Sequence, residues 1–361
     1  MSRWGYFARR LLLAIPVVLF GVTITFAILR LGPLDPVAAI LGPNTPPSQY
    51  ARVEEQLGLN RPLWEQYIEF MVGLLTFDLG NSYVIQENTK AMTLIVQHAP
   101  RTLWLGFWSV LIPLFIGIPL GFYAGLNPNT MGDYFASFGG IIWRAMPNFW
   151  LGVIFYSVLS QSVTYSEMLT FGVVQFQWDA WIVTNNIGTP PPLNFYNSNG
   201  TELLTVGGTT ISLFSFDWEV FVRAVKMVLP PAIVLGSASM GNEMRLGRTA
   251  VLETINSKYV ETARAKGLSR RKIVWKHVFR NALIPLVPII LNEAFLLIGG
   301  SVIMEQIFAI NGIGYLFFQA AIQGDMPLVG SLMYIFILIV VFMNIFQDFL
   351  YTIIDPRVGY E

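Results

Sequence analysis

The chain has 361 residues, 54% of them hydrophobic and only 12% charged, about half the charged share of an average soluble domain. That is too little polar surface to clothe a water-soluble globule, and the apolar residues gather in runs near the roughly 20 needed to cross a hydrocarbon core. The formal net charge is zero and cysteine is absent, so no bulk field favours nucleic acid, and disulfide scaffolds, thiolate metal sites and thiol nucleophiles are excluded.

At the N-terminus, Arg3, Arg9 and Arg10 precede an apolar stretch from Leu11 to Leu29. It has bilayer length rather than the roughly 7–15 residues of a secretory-signal core, and no Ala-x-Ala site closes it, which predicts an uncleaved anchor over residues 1–30. An external segment is expected over 31–101. In it, Asn60, Arg61 and Pro62 precede Leu63 to Leu75 and read as an Asn N-cap opening a short helix on or near the outer surface. Thr102 to Leu126 gives the second span, whose Gly117, Gly121 and Gly125 form a small-residue face for close helix packing. Phe135 to Leu159 gives the third.

Residues 160–223 form an external insertion rich in Asn, Thr, Gly, Pro and aromatics. Within it, Leu203 to Val206, Gly207-Gly208 and Thr209 to Leu213 predict a hairpin, and Asn199-Gly200-Thr201 is a glycosylation acceptor pattern. Val225 to Leu246 is the fourth and weakest span, short and interrupted by Pro230, Pro231 and the small run Gly236 to Ser239. Leu283 to Met304 and Leu328 to Ile354 complete the set, and residues 355–361 form a short tail. The expected fold class is an all-α polytopic membrane bundle of about six spans, with 102–354 as a core of five and a cytoplasmic loop at 247–282.

Orientation follows from the cations. The stretch from Arg245 to Arg280 carries ten of the chain's 22 Lys and Arg, and three more sit at the N-terminus. By the positive-inside rule both lie in the cytoplasm, and six spans bring the C-terminus there too. The loop from Asn127 to Asp133 then also falls inside, although it has no cation.

Polar groups inside the predicted bilayer are costly and should face protein or water. Asn292 and Glu293, near the middle of span five, fit two roles equally: bordering a solute pathway, or bonding to a neighbouring helix. Asn344, Asp348, Tyr351 and Asp355 share one face of the last helix, where a structural role is favoured. His98 and His277 fall on opposite sides of the membrane, so no metal or catalytic site and no cofactor is expected. There is no Gly-x-x-x-x-Gly-Lys-Ser/Thr phosphate loop.

The basic loop between spans four and five reads Tyr259-Val260-Glu261-Thr262-Ala263-Arg264-Ala265-Lys266-Gly267 and later Arg280-Asn281-Ala282-Leu283-Ile284-Pro285. A helix with small side chains at Ala263 and Ala265, ended by Gly267 and rimmed by Arg264 and Lys266, suits a groove in another protein with an acidic rim. The loop resembles the EAA loop of ABC-importer permeases, and more narrowly the dipeptide, oligopeptide and nickel permease family. Glu305-Gln306-Ile307-Phe308-Ala309-Ile310-Asn311-Gly312-Ile313-Gly314 is similar to that family's ETIF…PGIG element, with Gln306 and Asn311 as departures, the latter in place of a proline. Further matches are Arg30 to Pro36, Leu57 to Leu63, Met146 to Trp150, and Asp355-Pro356-Arg357. Only the segment 160–223 is longer than the resemblance leads one to expect.

The resemblance implies a permease subunit in the plasma membrane. It would form half of the pathway for peptides or similar small solutes, with Glu261, Thr262, Ala263, Arg264, Ala265, Lys266 and Gly267 as the loop that couples to ATPases. Its implied partners are a second homologous permease, two cytoplasmic ATP-binding subunits and an external solute-binding protein. The rival from another class is a stand-alone carrier driven by an ion gradient, with Glu293 as coupling group. No inverted repeat or broken helix pair supports it.

Overall fold

The structure is a computed structural model, and it describes residues 3–32, 35–42, 45–206, 209–284, 286 and 302–354. Four described helical stretches are long and apolar enough to cross a membrane: Phe7–Leu31, Ala91–Leu126, Trp218–Ile255 and Met326–Leu350. They match predicted spans one, two, four and six. The first lies within α1 (Arg3–Leu31), which carries Pro16. The second is built from α5 (Ala91–Ile112), a π-helical turn at Pro113–Gly117 and α6 (Ile118–Leu126). Pro113 has no N–H to give its preceding turn, and the π turn absorbs that break within a continuous rod.

Span three is realised as two helices, α7 (Met131–Ala145) and α8 (Asn148–Ser160). Pro147 lies between them and pushes Met146 to an extended conformation, ψ 130°, as expected of a residue before proline. Span four, the weakest by sequence, is the longest helix: α10 runs Trp218–Ile255 over 38 residues, straight through Pro230 and Pro231. Its small residues admit neighbouring backbones. A Cβ at Gly236 would collide with the Ser109 carbonyl of α5, one at Gly121 with the Met244 carbonyl, and one at Gly125 would lie 2.9 Å from that of Arg248. The predicted glycine face of span two therefore packs on α10, which also meets α7 and α8 and is the hub of the bundle. Span five falls mostly on residues 285 and 287–301, outside the described residues.

Outside the bilayer, the segment after α1 holds three short helices rather than one: α2 (Pro36–Leu41), α3 (Pro47–Gln56) and α4 (Leu63–Leu75). The α4 helix begins as predicted, but Pro62, not Asn60, occupies its N-cap, without a side-chain cap. Gln66 instead fastens the approach by donating to the Leu59 and Arg61 carbonyls, at 3.1 and 2.8 Å. A two-residue ladder pairs β1 (Asn81–Ser82) with β2 (Thr89–Lys90). In the insertion, α9 (Ser162–Thr170) precedes the predicted hairpin, an antiparallel pair of β3 (Tyr196–Val206) and β4 (Thr209–Phe216) in which Tyr196 faces Phe216 and Val206 faces Thr209.

The inner loop contains α11 (Lys258–Ala265), α12 (Arg270–Lys272), a π-helical stretch at Ile273–Phe279 and α13 (Arg280–Leu283). The chain ends with α14 (Val302–Ile307), α15 (Ile313–Gln323) and α16 (Met326–Ile354). Three apolar clusters hold the bundle together. One joins α1, α4, α5, α15 and α16, one joins α5, α8, α10 and α14, and the third seats the inner loop on α6 and α10.

Candidate functional site

The inner loop is fixed by an inward row and leaves an outward face. Val260 and Ala263 of α11 are buried in the same cluster as Ile273, Val278, Ala282 and Leu286, against Ile118 and Phe122 of span two. Ala263 is therefore taken up by the chain's own core and does not belong to an exposed small-residue face; a larger side chain there would lift α11 off the bundle. Glu261, Thr262, Arg264, Ala265, Lys266 and Gly267 are exposed, as are Lys258 and Tyr259.

The α11 helix ends in a Schellman motif: the Gly267 N–H donates to the Arg264 carbonyl at 2.9 Å and the Leu268 N–H to the Ala263 carbonyl at 3.3 Å. Gly267 sits at φ +74° with open space around its absent Cβ, so its requirement is purely conformational. The result is a short cationic helix, rigidly footed, with its free side turned to the cytoplasm.

The element Glu305 to Gly314 joins span five to the outer surface of the core. Glu305 is fully buried; it accepts from Thr102 Oγ1 at 2.8 Å and from the Tyr315 N–H at 2.8 Å, while Thr102 Oγ1 accepts from the Ile313 N–H at 2.8 Å. Together they cap the start of α15, whose first N–H groups have no helical partner. The two glycines follow from this geometry, because a Cβ on Gly312 would collide with Thr102 Oγ1 and one on Gly314 would sit 3.0 Å from the Glu305 carboxylate. Asn311 takes φ +56°, which proline cannot adopt. The departure at that position thus gives a different turn, one Asn tolerates.

Asp325 forms a second buried anchor. It accepts from Ser82 Oγ at 2.5 Å and from the backbone N–H groups of Tyr83, Val84 and Ile85 at 3.1–3.2 Å, tying the outer N-terminal segment to the head of α16. Lys226, near the outer end of α10, does the same for the insertion. Its Nζ donates to the Asp179 and Val183 carbonyls at 3.1 and 2.7 Å and lies 5.5 Å from the Trp178 ring centre. Between Arg144 and Arg223 the chain has no Lys or Arg, so the insertion also obeys the charge rule for an external segment.

At the inner end, Arg248 of α10 donates from Nε and a terminal nitrogen to the two oxygens of Asp133, at 2.6 and 2.9 Å. Asp133 lies in the first turn of α7, before the apolar part of span three, and the Arg248 bond holds its carboxyl down to about 2, against burial that acts to raise it. This pair places the loop 127–133, which has no cation, at the same end of the bundle as the cationic stretch. Arg10 pairs with Asp348 at 3.1 Å, joining the first and last spans, a structural role for that one member of the polar face. Asn292, Glu293 and Asp355 lie outside the described residues. Asp325 and Lys226 escaped sequence reading, and Glu305 was noted only as part of its motif; the one signal of the first two was an acidic or basic residue beside a glycine turn or a span end.

These features define a multi-pass membrane permease with a rigidly footed cytoplasmic helix. Residues 117–360 match the model of the binding-protein-dependent transport system inner membrane component family, and residues 3–106 match the N-terminal model of the same membrane component; the chain belongs to this family. Among curated proteins it is 32% identical over 357 residues to the oligopeptide transport system permease protein AppB of Bacillus subtilis (strain 168), covering 99% of both chains. It is 32% identical to the dipeptide transport system permease protein DppB of Alkalihalophilus pseudofirmus and 28% identical to that of Escherichia coli (strain K12), again over 99% of each.

Proposed function

We propose that this permease forms half of the translocation pathway of an ATP-driven importer for peptides or similar small solutes, paired with a second, homologous permease. In this reading two separate cytoplasmic ATP-binding subunits drive it, and an external solute-binding protein delivers the solute. The similarity along nearly the whole chain to an oligopeptide and a dipeptide transport permease supports the solute class. The observation that carries the coupling role is the exposed face of α11, footed by Val260 and Ala263 and ended by Gly267. A helix so footed transmits a push from a partner into spans two, four and five instead of bending.

Closure of the ATPase pair would act on Glu261 to Gly267, and the bundle would rock between inward-open and outward-open states with populations set by differential binding to each. The test is reconstitution: the permease purified with its co-expressed partners should retain ATPase subunits, and vesicles should take up dipeptide only with ATP and the binding protein. Gly267→Trp should abolish both uptake and stimulated ATPase activity while membrane insertion is unchanged. Uptake driven by an ion gradient without ATPase subunits, or intact uptake by Gly267→Trp, would overturn the proposal.

A further inference from the structure

Predicted span three contains one cation, Arg144, which is exposed on the surface of this chain. Arg144 stands 11 residues beyond Asp133 in α7, about 16 Å further along the axis, just before the break at Met146 and Pro147. A guanidinium at that depth is expensive unless it faces water, protein or a charged ligand. Helical side chains lean toward their own N-terminus, so Arg144 leans back toward the cytoplasmic half. There it lines a cavity of about 350 Å³ between α7 and α10, together with Arg245, Arg248 and Met244.

The cavity exists because two glycines let the helices approach on one side of it; a Cβ on Gly241 would lie 2.5 Å from the Gly140 carbonyl. Arg248 is committed to Asp133. Neither Arg144 nor Arg245 has a carboxylate partner among the described residues, and no acidic side chain lines the cavity. Arg245 makes one long contact, 3.4 Å, to Asn242 Oδ1.

We infer that this cavity is an oxyanion subsite, in which Arg144 and Arg245 receive the carboxylate of a passing solute and Met244 takes part of its apolar body. Paired planar guanidiniums match a carboxylate better than any other common group. A lipid phosphate offers similar chemistry, and the second arm of the experiment distinguishes it. The choice of a carboxylate-bearing solute rests on the peptide-permease reading; the binding measurement below needs no transport, so the two can fail separately.

The full chain in phosphatidylcholine nanodiscs is titrated with dansyl-alanyl-alanine and with its C-terminal amide, followed by fluorescence anisotropy. The acid should bind at least tenfold more tightly than the amide. Arg144→Gln and Arg245→Gln should each weaken the acid at least tenfold and leave the amide unchanged, and Arg144→Lys should fall between. Circular dichroism and elution volume guard against misfolding. Equal binding of acid and amide, or wild-type affinity in a folded Arg144→Gln chain, would refute the subsite. In a second arm, nanodiscs doped with phosphatidylglycerol are extracted and retained lipid is measured. Retention that depends on Arg144 and Arg245, with no dipeptide binding, would assign the site to lipid and overturn the solute reading.

Discussion

The outer anchors and the α11 helix are held by different means. At the outer end, single buried polar groups gather several partners each: Asp325 takes the Ser82 hydroxyl and three N–H groups, Glu305 takes Thr102 and Tyr315, and Lys226 takes two carbonyls. At the inner end α11 is held by an apolar row and one glycine turn, and its charges are left outside. Charged hydrogen bonds in a buried setting fix one geometry and fail as a unit, whereas an apolar foot under an exposed face leaves that face available to a partner. The outer anchors keep their segments in place, and α11 keeps its charged face free.

The sharpest way to break this contrast is Asp325→Ala. It strips four donors of their acceptor at a position where Ser82 is fully buried, and should cost about 3–5 kcal/mol. Hydrogen exchange across residues 79–90 should rise strongly while that of α11 stays unchanged; equal protection in both chains would refute the anchor.

Asp133→Asn should cost about 2 kcal/mol, the equivalent of a carboxyl held from 3.8 down to about 2. Because the folded-state value is the lower one, this stabilisation is complete above about pH 4 and is lost as pH falls toward 2. The wild-type thermal midpoint in detergent should therefore approach that of Asp133→Asn across that window.

Lys226→Met should cost about 1–2 kcal/mol by leaving the Asp179 and Val183 carbonyls without their donor. Limited proteolysis should then cut the insertion between residues 170 and 195 faster, with the bundle intact. The smallest stability effect is Gly267→Ala, about 1 kcal/mol for a side chain at φ +74°. If α11 couples as proposed, the substitution's functional effect should be out of proportion, with uptake reduced several-fold at unchanged expression, since it alters only the turn that closes α11.

The sequence alone determined the class, the orientation and most of the spans. Twenty-residue apolar runs and the clustering of cations inside are one-dimensional properties that a bilayer reads directly. It also located the hairpin, the helix at Leu63–Leu75 and the glycine that ends α11, because turn and cap chemistry act over a few residues. It misjudged α10, since adjacent prolines and small residues read locally as interruption, while neighbouring helices pack into them and stabilise the longest helix in the protein. Only the tertiary structure decided that Ala263 faces inward, that Glu305 caps α15, and that Asp325 reaches back some 240 positions to Ser82 and its neighbours. Those contacts join residues whose separation in sequence carries no periodicity, and a buried polar group shows its meaning only when its partners are brought to it by the fold.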